Sequence, residues 1–155
     1  MDQFFKFWAL ESLVAHWDGY ANNRNNYYVL YHPATDKLTF IPWGVDQVLN
    51  ANDIFLRDDP VNRHGQGQWV STKAALPHIL MADQEGRAKY IATMKSLISS
   101  WPVSRILGKI ESFQNLLGDQ TPSKEVDLLK TFASNRGKDV LASLNAADPK
   151  AVYDN

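Results

Sequence analysis

Residues 16–28 read HWDGYANNRNNYY, a run that sets one carboxylate, Asp18, ahead of four carboxamides at Asn22, Asn23, Asn25 and Asn26. A turn needs one or two Asn, because Asn tolerates left-handed backbone angles and bonds its own backbone. Four exceed that need, so the amides are either surplus decoration of a loop or aimed at something. A second acid, Asp46, stands in the run FIPWGVDQ. Two carboxylates and an amide oxygen beside aromatic walls suit a hard cation. Mg2+ takes oxygen ligands, usually one or two carboxylates, and completes its octahedron with phosphate and water oxygens. A spare carboxylate nearby can orient or deprotonate an attacking hydroxyl.

Such a site needs elements that bring the two runs together. Residues 2–16, DQFFKFWALESLVAH, read as a helix with an acidic cap at Asp2 and apolar groups nearly all round, hence buried. It is expected to end near Trp17 to Gly19. NNYYVLYHP and KLTFIPW then read as two strands joined by a turn at Pro33, Ala34, Thr35 and Asp36. Apolar groups on both faces predict a sandwiched hairpin. Antiparallel strands joined by a short turn bring their outer ends together, so residues 18–25 and 43–47 are expected to be neighbours.

From Val48 to Ser71 the pattern dissolves into Asn, Asp, Arg, Gly and Gln, a long loop of the kind that is more often functional than inert. Helices are expected at 72–82, interrupted by Pro77, and at 84–100. A third, at 102–117, carries Val103, Ile106, Leu107, Ile110, Phe113 and Leu117. A fourth begins at Thr121-Pro122 with a stripe of Val126, Leu129, Ala133, Val140 and Leu144. The fold class is α+β, mostly helical. A domain over residues 1–146 is followed by a tail, 147–155.

The totals narrow the partners. With 155 residues, 45% apolar and 21% charged, the chain has the composition of one globular domain. A net charge of −1 argues against nucleic acid or an anionic membrane held by bulk electrostatics. The absence of cysteine excludes disulfides and thiolate metal sites. No window approaches the roughly 18 apolar residues of a membrane helix, and the N-terminus lacks the basic start of a signal peptide.

The layout around Asp18 follows the phosphoryl-transfer plan of protein kinases: a catalytic-loop Asp, an Asn five residues later, a hairpin, then a second metal-binding Asp. Asn23 lies five residues after Asp18, and His16-Trp17-Asp18 stands where kinases carry His-Arg-Asp. The whole run 16–47, HWDGYANNRNNYYVLYHPATDKLTFIPWGVDQ, closely resembles the CotH kinase family of spore-coat-protein-H-like atypical protein kinases. Looser likeness extends from Met1 to about Leu144, including MADQEGRAKYIATMKSL. The resemblance implies a kinase-like C-terminal lobe whose hairpin carries the catalytic and metal loop. It also implies ATP and Mg2+ as cofactors, and phosphoryl transfer to Ser or Thr of a coat or surface protein. Carried over by motif, Asp18 is the catalytic acid, and Asn23 and Asp46 hold metal and nucleotide; Asn25 and Asn26 shape the loop.

Two departures qualify that likeness. Many members read Pro-Trp-Asp-x-Asp, where Gly44 here replaces the first acid. Nothing before residue 16 supplies a nucleotide-covering lobe with its strand lysine, since Lys6 falls on a helix, so the chain reads as the C-terminal portion of such a domain. A non-catalytic assembly module, and more weakly a carbohydrate-binding domain, remain open. His16 reads as a structural histidine that bonds a backbone carbonyl. Trp17, Tyr20, Tyr27, Tyr28, Tyr31 and Trp43 read as core. Arg57, Arg63, His64 and Lys73 read as solvated charge.

Overall fold

Helix α1 (Asp2–Leu13) buries Phe4, Phe5, Phe7, Trp8, Ala9 and Leu13, so most of its apolar sequence is packed, and one face with Gln3, Lys6 and Leu10 stays exposed. The computed structural model describes residues 1–49 and 70–146. Within them α1 is followed by strands β1 (Tyr27–His32) and β2 (Lys37–Pro42), then helices α2 (Ala75–Ala82), α3 (Gln84–Ser99), α4 (Val103–Leu117) and α5 (Ser123–Ala146). Short 3-10 turns cover Val45–Gln47 and Gly118–Gln120. The chain is α+β and mostly helical, with one antiparallel hairpin.

Aromatic rings fill the space around α1. Trp8 lies 4.0 Å from Tyr90 of α3, Phe4 lies 4.9 Å from Phe40 of β2, and Tyr20 lies 4.7 Å from Tyr27. Each such buried ring contributes roughly 1.5–3 kcal/mol by leaving water. Trp8 also needs a partner for its N–H, and it donates to the Ser71 carbonyl at 2.8 Å. Gln3 binds the backbone of β2 as a third strand would: its amide donates to Phe40 O at 2.7 Å and accepts from Phe40 N at 3.2 Å.

The hairpin register pairs Tyr27 with Pro42, Val29 with Phe40 and Tyr31 with Leu38 on one face. Tyr28 with Ile41 and Leu30 with Thr39 form the other. Tyr27 and Phe40 turn their face onto α1, but the second face is open, with Tyr28, Leu30 and Ile41 exposed. The expected sandwich is therefore corrected to a hairpin laid on the core by one face. Alternation of apolar groups measures how apolar a strand is, not how many layers cover it.

Helix α1 stops at Leu13, earlier than its apolar pattern predicts. Ala15 takes φ 56, His16 N donates back to Glu11 O at 2.8 Å and Ala15 N to Ser12 O at 3.2 Å. That pair of bonds is a Schellman stop built on alanine in place of glycine. Arg136 of α5 reinforces it, donating from Nε to Leu13 O at 2.9 Å and from Nη2 to Ser12 O at 2.6 Å. A cation at a helix C-terminus also complements the helix dipole. Asp2 is not a cap; it pairs with Lys89 Nζ at 2.5 Å.

Pro77 does not interrupt α2: it occupies the first turn, where its missing N–H has no intrahelical partner to lose. Asp83 caps α3, its carboxylate accepting from Gly86 N at 2.7 Å. Helix α4 packs chiefly on α5 among the described residues and buries no residue fully, leaving Phe113 and Leu117 of its predicted stripe exposed. The greater part of the expected loop Val48–Ser71, with Arg57, Arg63 and His64, lies outside the described residues, as does the tail from Ala147.

Candidate functional site

The loop between α1 and β1 is held from below by Glu11. This carboxylate, on the buried side of α1 and only 4% exposed, accepts Tyr20 N and Ala21 N at 3.0 Å each, one on each oxygen. Gly19 passes so close that any side chain there would collide with Glu11 and His16. From the other side Ser71 donates its hydroxyl to Ala21 O at 3.1 Å and Asn22 Oδ1 at 3.3 Å, while Ala74 N donates to Ala21 O at 3.1 Å. Asn22 is buried and donates to Trp17 O at 2.6 Å. Burial raises the Tyr20 phenol above its ordinary value, so it stays neutral and acts as a wall.

So anchored, the loop aims its amides at Asp18. Asn23 Nδ2 donates to Asp18 Oδ1 at 2.5 Å, and Asn26 Nδ2 donates to Oδ2 at 2.6 Å. Asn25 Nδ2 adds a longer contact of 3.4 Å to Oδ2. Arg24 and Asn26 both take positive φ, 61 and 47, which curls the chain around the carboxylate. Three of the four asparagines therefore fix the rotamer of one acid, and the fourth fixes the loop. Asn25 and Asn26, which sequence reading gave to loop shape, act on the carboxylate itself.

The second polar run joins this cage. Trp43 N donates to Asn26 O at 2.9 Å, and Trp17 Nε1 donates to Gln47 Oε1 at 3.1 Å. Gly44, at φ 58, lies against the Asn26 carboxamide. Asp46 sits in the 3-10 turn Val45–Gln47 with its carboxylate exposed. These bonds run through Asn26, Trp17, Trp43 and Gln47; none runs between Asp46 and Asp18.

Asn23 and Asp46 carry oxygen donors of the type Mg2+ takes: Asn23 gives an N–H to Asp18, which leaves its Oδ1 outside that bond, and Asp46 is exposed. Among the described residues no three His, Asp or Glu side chains cluster as a metal cage. Phosphate and water oxygens would therefore have to fill most of the shell.

Other expected placements change. His16 is buried, its Nδ1 3.7 Å from Glu11 Oε1, and its Nε2 has no partner, so the ring does not bond a carbonyl as expected. Its backbone oxygen instead ties down the loop, accepting from Gly19 N at 3.2 Å. Tyr20 and Tyr27 pack on the core, whereas Tyr28, Tyr31 and Trp43 are exposed. A cavity of about 590 Å³ beside α1, walled by Phe7, Leu10, Val14 and Pro42, has none of Asp18, Asn23 or Asp46 in its lining. Sequence reading missed Glu11, Ser71 and Arg136. Glu11 alone gave a signal, an acid in the middle of an otherwise apolar helix.

Comparison with known proteins gives one family: the family described as CotH kinase protein matches residues 1–140. No curated protein and no solved structure matches the chain. No helix among the described residues is long and apolar enough to cross a membrane.

Proposed function

The chain belongs to the CotH kinase family, and from that membership we propose that it takes part in phosphoryl transfer from ATP to a Ser or Thr hydroxyl of a coat or surface protein. Asp18 is the group that meets the hydroxyl. The Ser or Thr hydroxyl oxygen attacks the γ-phosphorus as the bond to the β–γ bridging oxygen breaks; the hydroxyl proton passes to the Asp18 carboxylate, and ADP leaves. Asn23 Oδ1 and the Asp46 carboxylate would hold Mg2+, which would supply charge neutralisation of the nucleotide phosphates.

The observation that carries this reading is the cage: a carboxylate fixed by Asn23 and Asn26 at 2.5 and 2.6 Å is a positioned group rather than a loose surface acid. The test is Mg2+-dependent transfer of labelled phosphate from ATP to a Ser/Thr-rich acceptor protein. Asp18→Asn, with an unchanged circular dichroism spectrum, is expected to abolish transfer. Transfer at the unmodified rate by that variant would remove Asp18 from the role. Asp46→Asn is expected to abolish Mg2+-dependent nucleotide binding.

One observation favours a second reading, a binding module without catalysis. Gly44 stands where many family members carry an acid, and its contact with Asn26 leaves no room for a side chain. Under that reading ATP with Mg2+ gives no thermal shift, whereas a protein partner does.

A further inference from the structure

The cavity beside α1 has a volume of about 590 Å³, within the roughly 300–1,000 Å³ of small-molecule pockets. Phe7, Leu10, Val14, Pro42, Val45 and Leu97 make its walls apolar. Four polar side chains join them, and two of these are already engaged. Gln3 is bonded to the Phe40 backbone, and Glu11 holds Tyr20 N and Ala21 N, one on each oxygen. Lys6 is exposed and keeps its charge in water. The fourth, His16, is 3% exposed and lines the same cavity. Its Nδ1 lies 3.7 Å from Glu11 Oε1, and Nε2, across the ring, is a buried polar atom without a partner. Such an atom costs as much as a lost hydrogen bond until something meets it.

Water meets it poorly, because a buried water needs about two to four polar partners and the buried wall offers this one free side-chain atom. An anion meets it poorly too, since the buried Glu11 carboxylate stands against the same ring. A hydroxyl suits it in either tautomer: an O–H donates to a bare Nε2 or accepts from Nε2–H. We propose that the cavity binds a neutral amphiphile, an apolar chain or ring carrying one hydroxyl. The hydroxyl bonds to His16 Nε2, and the apolar body lies along Phe7, Leu10 and Val14. Gly19 passes directly against Glu11 and His16, so the occupant sits behind the loop that presents Asp18. The ligand's chemistry follows from the cavity alone and does not depend on phosphoryl transfer.

The test compares para-pentylphenol with pentylbenzene, which differ by one hydroxyl, in calorimetric titrations of the full chain without nucleotide. A hydroxyl buried without a partner weakens binding, and one that is met strengthens it. The parent is therefore expected to hold the phenol about tenfold more tightly than the hydrocarbon. His16→Phe, which keeps a ring and removes its nitrogens, is expected to reverse that order. Should that variant not fold, nitrogen NMR of the parent decides: the phenol is expected to shift the His16 Nε2 signal well beyond the shift given by pentylbenzene. Leu10→Trp fills the cavity from an exposed wall position and is expected to abolish binding of both. Pentylbenzene bound as tightly as the phenol by the parent, or an Nε2 signal that answers both alike, overturns the proposal. So does decanoate bound more tightly than the phenol and released by Lys6→Gln, which gives the cavity to an anionic amphiphile. A chain that dimerises in sedimentation and returns to monomer in Leu10→Trp gives the face to a second copy and overturns it as well.

Discussion

Gly44 approaches Asn26 so closely that a methyl group on its α-carbon would fall 2.7 Å from the Asn26 carboxamide carbon. Because Asn26 holds Asp18, the bareness of one residue on the second polar run sets the geometry of an acid on the first. Gly44→Ala is expected to displace the Asn26 side chain and to add left-handed strain of about 1–2 kcal/mol. Denaturant unfolding measures the loss, and the Asn26 side-chain amide signals in NMR report the displacement. Unmoved amide signals in a destabilised variant would mean strain alone, with no coupling to Asp18.

Glu11→Ala is expected to destabilise the fold by about 3 kcal/mol or more, since the amides of Tyr20 and Ala21 both lose a charged acceptor. Glu11→Gln retains one acceptor oxygen and is expected to recover part of that loss. Equal midpoints for the two variants in urea would show that the carboxylate acts as mere filler.

Arg136→Met leaves the Ser12 and Leu13 carbonyls short of donors in a buried place, with an expected loss of about 2–4 kcal/mol. Burial lowers the guanidinium pKa to about 10, which still leaves it charged at neutral pH. Its contribution is therefore expected to be constant between pH 6 and 9 (~ a unit or more below that value), and unfolding free energies across that range, for parent and variant, check this.

Asp2 shows the opposite dependence. Its hydrogen bond and charge attraction to Lys89 hold its carboxyl below the ordinary value of 3.8. A depressed folded pKa contributes stability above the unfolded pKa and loses it as pH falls through the folded one. Asp2→Asn is thus expected to lower the urea midpoint slightly at pH 7 and not at all near pH 2. The gap at pH 7 is expected to shrink in high salt, because the pair is exposed.

How far the sequence could be read is clearest in these same residues. The hairpin and its turn were legible because branched and aromatic runs flank Pro33 and Asp36, and the observed strands begin and end within a residue or two of those runs. The motif spacing was legible too, since Asp18 and Asn23 are close in sequence and meet directly. The end of α1 was not, because a Schellman stop on Ala15 lacks the usual glycine and leans on Arg136, more than a hundred residues away. Nor was the open hairpin face, where Tyr28 and Trp43 look like core residues by type.

By itself the sequence determined the mostly helical α+β class, the hairpin and the kinase family, because each is written in local periodicity or in a contiguous motif of residues 16–47. Only the tertiary structure decided what the asparagines do and what Glu11, Ser71 and Arg136 are for. Their hydrogen bonds close through space onto one loop and the end of the helix that leads into it, and the partner of a polar group is fixed by the packing that buries it, not by its neighbours along the chain.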